Sequence, residues 1–188
     1  DFLIGAAITD GQHDVMLFSD GGKAVRFAEQ DLRPMGRNAR GNKGMNLEPG
    51  QSVIAMLVAE DETQSVLTAT EHGYGKRTSI VEYTRHGRGT KGMIAIQQSD
   101  RNGKVVAATL VRPDDEIMLI TDKGVLVRTR VAEIRELGRA TQGVTLIALD
   151  TGSTLSGLQR IVENDVSAEG TTDTTPGDDS GSPTTETP

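Results

Sequence analysis

The sequence predicts an all-β protein of repeated, propeller-like blades. Three observations predict it: an internal repeat of 51 residues, glycine turns between short apolar runs, and two-residue alternation after each turn. An ungapped shift of 51 residues superimposes Val15, Val66 and Ile117, then Gly22, Gly73 and Gly124, then Arg26, Arg77 and Arg128. The same shift aligns Asp31, Glu82 and Glu133, the Gly-Arg pairs that begin at Gly36, Gly87 and Gly138, and finally Gly41, Gly92 and Gly143. Each unit is then a module that buries its apolar face against its neighbours.

The elements follow in order. Leu3 to Thr9 is an apolar stretch that recurs as Val53 to Ala59, Val105 to Val111 and Leu155 to Ile161, which places residues 1–14 at the end of a truncated preceding blade. With no initiator Met or leader before it, the chain reads as a piece of something longer. Val15 to Phe18 and Ile117 to Ile120 are short apolar runs suited to strands. Each run of this kind stops at a turn: Asp20-Gly21-Gly22, His72-Gly73 or Asp122-Lys123-Gly124. After the last turn, Val125, Val127, Thr129 and Val131 fall on one face and Leu126, Arg128 and Arg130 on the other, the period of a strand. About four short strands per unit favour blades over a two-layer sandwich. Complete blades are expected at 15–65, 66–116 and 117–162. Residues 167–188 are nearly all Thr, Ser, Gly, Pro, Asp and Glu, so 163–188 is expected to be a disordered acidic tail.

Charge is sorted along the chain. The net charge of −7 lies entirely in the tail, which holds seven acids and no Lys or Arg, and residues 1–162 are neutral. Within those residues the hairpin-and-loop blocks carry +4 (Gly22 to Gly44), +4 (Gly73 to Gly92) and +2 (Gly124 to Gly143). The intervening stretches are negative. A repeat turns sequence position into spatial position, so the blocks are expected to line one side as a positive stripe. The candidate phosphate-binding residues are Lys23, Arg26, Arg33, Arg37, Arg40 and Lys43 in the first block, and Lys76, Arg77, Arg85, Arg88 and Lys91 in the second. Arg128, Arg130, Arg135 and Arg139 complete the set. Arg26, Arg77 and Arg128 are expected on the outward face of the second strand, and Arg37, Arg88 and Arg139 in the following loop. The competing reading is that these arginines solubilise the domain or pair with Asp31, Glu82 and Glu133. Cations that neutralise phosphates position a duplex without reading its sequence. With only Phe2, Phe18, Phe27, Tyr74 and Tyr83 and no Trp, a base-stacking platform is not expected, which favours double-stranded DNA as the partner.

Other chemistries are excluded. No cysteine means no disulfide and no thiolate metal site. No apolar run approaches the roughly 20 residues of a membrane helix, and a cytoplasmic protein without membrane contact is expected. His13, His72 and His86 lie in or beside turns with no second ligand at metal-binding spacing, so no metal site is expected. Gly73-Tyr74-Gly75 lacks the third glycine of a dinucleotide loop, and Gly36 to Lys43 misspaces a phosphate-binding loop by one residue. No catalytic constellation is present.

The strings Gly73-Tyr-Gly-Lys-Arg-Thr78, Ile120-Thr-Asp-Lys-Gly-Val-Leu-Val-Arg-Thr-Arg130 and Gly138-Arg-Ala-Thr-Gln-Gly-Val144 closely resemble the later blades of the DNA gyrase A C-terminal domain. The resemblance covers about residues 2–162. It implies a β-pinwheel, a six-bladed relative of the propeller, whose basic perimeter wraps duplex DNA in a type IIA topoisomerase that introduces negative supercoils. It further implies a heterotetramer of two A and two B subunits on the chromosome. ATP and Mg would be bound elsewhere in that enzyme, with no cofactor in this part. The nucleophilic tyrosine would belong to another domain, so neither Tyr74 nor Tyr83 is read as catalytic. The Gln-Arg-Arg-Gly-Gly-Lys-Gly box that the resemblance leads one to expect in the first blade is absent. The alternatives are a protein-binding β-propeller and the equivalent C-terminal domain of topoisomerase IV. The acidic tail could also compete with DNA for the arginines.

Overall fold

The computed structural model describes residues 2–162. The expected acidic tail lies outside the described residues. Each unit is seeded by a hairpin whose turn requires positive φ, supplied by Gly22 at 76°, Gly73 at 82° and Gly124 at 80°. In the first unit β1 (Asp14–Ser19) and β2 (Lys23–Ala28) form that hairpin, and β3 (Val53–Ala59) returns along the other edge of β1. The second unit contains β4 (Ser65–Thr70), β5 (Tyr74–Ser79), β6 (Met93–Ile94) and β7 (Val105–Val111). The third contains β8 (Glu116–Thr121), β9 (Leu126–Arg130), β10 (Val144–Thr145) and β11 (Leu155–Ile161). A 3-10 turn follows each hairpin, at Glu29–Asp31, Ile80–Glu82 and Val131–Glu133.

The sheets are antiparallel with strand orders β3-β1-β2-β6, β10-β5-β4-β7 and β11-β8-β9. Four strands per blade were expected from within one unit, and the pairing corrects this. The fourth strand of the first sheet, β6, comes from the second unit, and that of the second sheet, β10, comes from the third. Close packing fixes the crossing point. A side chain at Gly92 would put its Cβ 2.4 Å from the Ala24 carbonyl oxygen, and one at Gly143 would lie 2.6 Å from that of Gly75. The repeat-equivalent Gly41 has nothing within 4 Å. Among the described residues, Asn42-Lys43 joins no sheet.

Alternation sends successive side chains of each strand into different layers. Met16 and Phe18 join Val66, Ile80 and Tyr83 in a cluster between the first two sheets, with Phe18 and Tyr83 meeting edge to face at 6.0 Å. Val15, Val25, Phe27 and Met45 pack on the other side of the first hairpin. Leu67, Val111, Ile117, Leu119, Val131 and Leu155 fill the space between the second and third sheets. Full burial of such a side chain stabilises by about 1.5–3 kcal/mol, so the repeat is held together mainly between units. Leu3 to Thr9 departs from expectation: it forms no strand, and Leu3 and Ile8 are exposed. A strand needs a neighbour for its backbone groups, and none of the described strands pairs with it.

Candidate nucleic-acid interface

The hairpin register carries the repeated arginines to equivalent points of successive sheets, but Arg26 does not reach the outside. It is only 7% exposed. Its Nε donates to Asp14 Oδ2 at 2.7 Å and its Nη2 to Glu62 Oε1 at 2.6 Å. Its Nη1 donates to the carbonyls of Ile80 and Tyr83 in the second unit, at 3.1 and 3.2 Å. Burial alone would lower its pKa, but the hydrogen bonds to Glu62 and Asp14 and their charges leave it raised. Arg77 repeats the reach into the next unit, with Nε donating to Ile134 O at 2.7 Å and Nη1 3.8 Å from Glu136 Oε2. Arg128 pairs with Glu116 across its own hairpin. Lys76 is completely buried and donates to the carbonyls of Gly138 and Arg139 in the third unit.

These placements correct the outward-facing expectation for Arg26 and Arg77 and remove Lys76 from the solvent-facing set. A cation taken out of water must have its donors satisfied by protein, and the carbonyl acceptors here sit in the following unit. The carboxylate partners are Asp14, Glu62, Glu116 and Glu136 rather than the side chains of Asp31, Glu82 and Glu133. Two signals in the sequence pointed this way. Position 14 lies diagonally across the hairpin from position 26, and Lys76 occupies the place that the repeat gives to Val25 and Val127.

The loop arginines have a second set of contacts. Arg88 Nη1 donates to the Lys43 carbonyl at 3.3 Å, and one repeat later Arg139 Nη1 donates to that of Ile94 at 2.9 Å. Backbone bonds join the same loops: Gly89 N to Gly44 O at 2.6 Å, Asn46 N to Thr90 O at 2.8 Å and Gln97 N to Thr141 O at 2.9 Å. The three basic loops therefore form one continuous ribbon across the units. Along it Arg33, Arg37, Arg40, Lys43 and Arg135 are exposed, and no side-chain hydrogen bond or ion pair engages them among the described residues. Half-buried Lys23 is likewise without a side-chain partner among those residues. Exposed Arg85 holds buried Asp14 at 2.8 Å, while Lys91 with Glu48 and Arg130 with Glu116 form solvent-accessible pairs at 3.0 and 4.0 Å. The latter two pairs contribute about 0–1 kcal/mol each, so a phosphate can compete for Lys91 and Arg130.

Away from the ribbon, Asp10, His13 and Glu29 bring their ligand atoms within 4.8 Å of one another. His13, expected as a solvated turn residue, sits with Nδ1 3.0 Å from Asp10 Oδ1. Glu29 accepts from the His13 backbone, and the Thr9 side chain, followed by that bond, holds its carboxyl below the usual range. No described helix is long and apolar enough to cross a membrane.

Known proteins place this architecture. The family model for the DNA gyrase C-terminal domain, a β-propeller, matches residues 13–60, 64–112 and 115–161. The chain belongs to this DNA gyrase C-terminal domain family. The three matched segments coincide with the three units, each running from the hairpin to its long returning strand, β3, β7 or β11. The DNA gyrase A protein of Pseudomonas aeruginosa is 55% identical over 163 residues, and that of Escherichia coli is 49% identical over the same length. Each alignment takes in 87% of this chain and 18% of the relative, so the chain spans about a fifth of their length. A solved DNA gyrase A C-terminal domain superimposes with a TM-score of 0.75 at 29% identity, over 80% of this chain and 51% of that one. The C-terminal domain of DNA topoisomerase IV has the same fold, with a TM-score of 0.77 at 23% identity over 81% and 48%.

Proposed function

We propose that this gyrase C-terminal domain holds double-stranded DNA by its phosphates along the ribbon of basic loops. The observation that carries the reading is the exposure of Arg33, Arg37, Arg40, Lys43 and Arg135 on adjoining loops, with no side-chain partner among the described residues. Arg85, Arg88, Lys91, Arg130 and Arg139 flank them. Duplex is favoured over single strands because Phe18, Phe27 and Tyr83 are buried and Tyr74 is stacked under Arg101 at 4.4 Å, which leaves little aromatic surface on the loops for bases.

In the whole enzyme the domain would serve ATP-dependent negative supercoiling by a type IIA topoisomerase of two A and two B subunits. DNA breakage and ATP turnover would take place on other parts of that cytoplasmic, chromosome-associated enzyme. The greater identity to gyrase relatives favours this setting over topoisomerase IV. Bending 20–30 base pairs by 40–90° costs about 1–6 kcal/mol, which contacts spread along a ribbon can offset. The test is a fluorescence titration of labelled duplex at about 50 and 200 mM salt, where each phosphate contact contributes about −0.9 to the log–log slope. A steep negative slope is expected. Affinity indifferent to salt would overturn the reading, and a gel shift with single-stranded competitor tests the preference for duplex.

A further inference from the structure

Lys76 places a buried charge at a position that the other two units fill with valine, on the same hairpin backbone. Its repeat equivalents are Val25 and Val127, and Thr78 beside it stands where the first unit has Phe27. From this place in the second unit, the ammonium reaches the middle of the third unit's basic loop and donates to the carbonyls of Gly138 and Arg139. Thr78 Oγ1 donates to Leu137 O at 2.8 Å, the Leu137 amide to Arg77 O at 2.9 Å, and the Arg139 amide to Glu82 Oε2 at 3.1 Å. At the corresponding joint between the first and second units the backbone bond recurs, with the His86 amide donating to Arg26 O at 2.8 Å, but Val25 and Phe27 stand where Lys76 and Thr78 donate. There a cavity of about 270 Å³, lined by Val25, His86, Thr90, Lys91, Gly92 and Met93, lies under the second loop.

We propose that Lys76 is a positioning residue for DNA binding: from inside the second unit it fixes the backbone of loop 135–139 and so sets where Arg135 and Arg139 meet a phosphate. The inference rests on the reading of the loops as phosphate-binding. An ammonium suits the task because it offers several donors and no acceptor, so two converging carbonyls can share one side chain. Remove it and both carbonyls lose a buried partner, which drives the loop to open toward water.

The test uses the 188-residue chain with Lys76→Met and with Lys76→Cys. The chain has no other cysteine, so alkylating the unfolded Lys76→Cys protein with 2-bromoethylamine restores an ammonium at that one site, and alkylating it with a neutral ethyl group of similar size does not. Amide hydrogen exchange at 137–141 is read without DNA, and affinity and salt slope are read with duplex. Lys76→Met is expected to speed loop exchange about tenfold or more and to leave exchange in β1 and β8 unchanged. Its salt slope should fall by about 1–2, the loss of one or two phosphate contacts. The aminoethylated protein should recover both properties and the ethylated one neither. Loop exchange unchanged in Lys76→Met, or recovery with the neutral ethyl group, overturns the inference. A variant that fails to fold is judged by the alkylated pair, where failure of aminoethylation to restore loop protection overturns it equally. A wild-type affinity without salt dependence would sink the phosphate-binding reading alone, since loop exchange is measured without DNA.

Discussion

The joint between the first two units closes on Arg26, and the joint between the second and third on Lys76, although the two joints share one backbone plan. Arg26 lies at the rim of its joint and reaches two carboxylates and two carbonyls, while on the opposite face of the same hairpin Val25, beside a cavity under the second loop, and Phe27 are apolar. At the second joint the balance is reversed. Arg77 makes one short bond and one distant ion pair, and the position equivalent to Val25 holds a buried ammonium under the third loop, with Thr78 beside it. The same repeat position can thus be filled by apolar packing or by polar bonds to the carbonyls of the next unit. Charge at a repeat position marks a surface only where no neighbouring unit covers it.

Breaking the rim of the first joint should have the largest effect. Arg26→Leu leaves buried Asp14 with Arg85 as its remaining partner, and uncovering one member of a buried pair costs about 3–5 kcal/mol. The equivalent Arg128→Leu acts on a half-exposed pair and should cost about 1 kcal/mol or less. Urea unfolding of both variants tests the contrast, and equal losses would mean that burial does not separate the two sites. Next in size are the glycines of the crossing point. Gly92→Ala combines φ of 76° with a Cβ 2.4 Å from Ala24 O, whereas Gly41→Ala, with φ of 86°, meets open space. The strain of a left-handed alanine is about 1–2 kcal/mol at either position. Gly92→Ala should exceed that figure and Gly41→Ala should not, as thermal unfolding would reveal.

What the sequence made legible was whatever is local. The 51-residue repeat, the glycine turns and the long strands follow from period and turn chemistry, and each hairpin forms where those signals lie. The exchange of β6 and β10 between units was not legible. Two-residue strands carry almost no pattern, and their pairing is chosen by which edge is near in space. The stripe of arginines in register suggested a surface because alternation places them opposite valines. Their burial depends on carbonyls more than 50 residues further along the chain. Lys76 could have been placed by its neighbours in the repeat, since two valines at one position define a core site.

The proton on Lys76 sharpens the comparison of the joints. Burial, reinforced by Arg139 and opposed by Glu82, lowers its pKa from 10.5 to about 8. A folded-state value below the unfolded one means that the folded chain gives up this proton first. Between about pH 8 and 10.5 the unfolded chain therefore binds more protons, and stability should rise with pH across that window. The rise is measured as the gain in urea midpoint from about pH 8 to about pH 10 in the parent, less the gain in Lys76→Met. A parent that gains no more than the variant would place the lysine in water.

The smallest effect on stability belongs to the exposed loops, where the comparison turns from joints to DNA. Arg37→Ala and Arg40→Ala remove side chains without partners among the described residues, so each should shift stability by no more than about 0.5 kcal/mol. Each should nonetheless reduce the salt slope for duplex binding by about 0.9 if it meets a phosphate. Arg26→Leu, tested below its unfolding transition, should leave that slope nearly intact, because its guanidinium is spent on the protein. If instead Arg37 and Arg40 prove silent and Arg26 changes the slope in the folded state, the phosphate path runs past the sheet rather than along the loops.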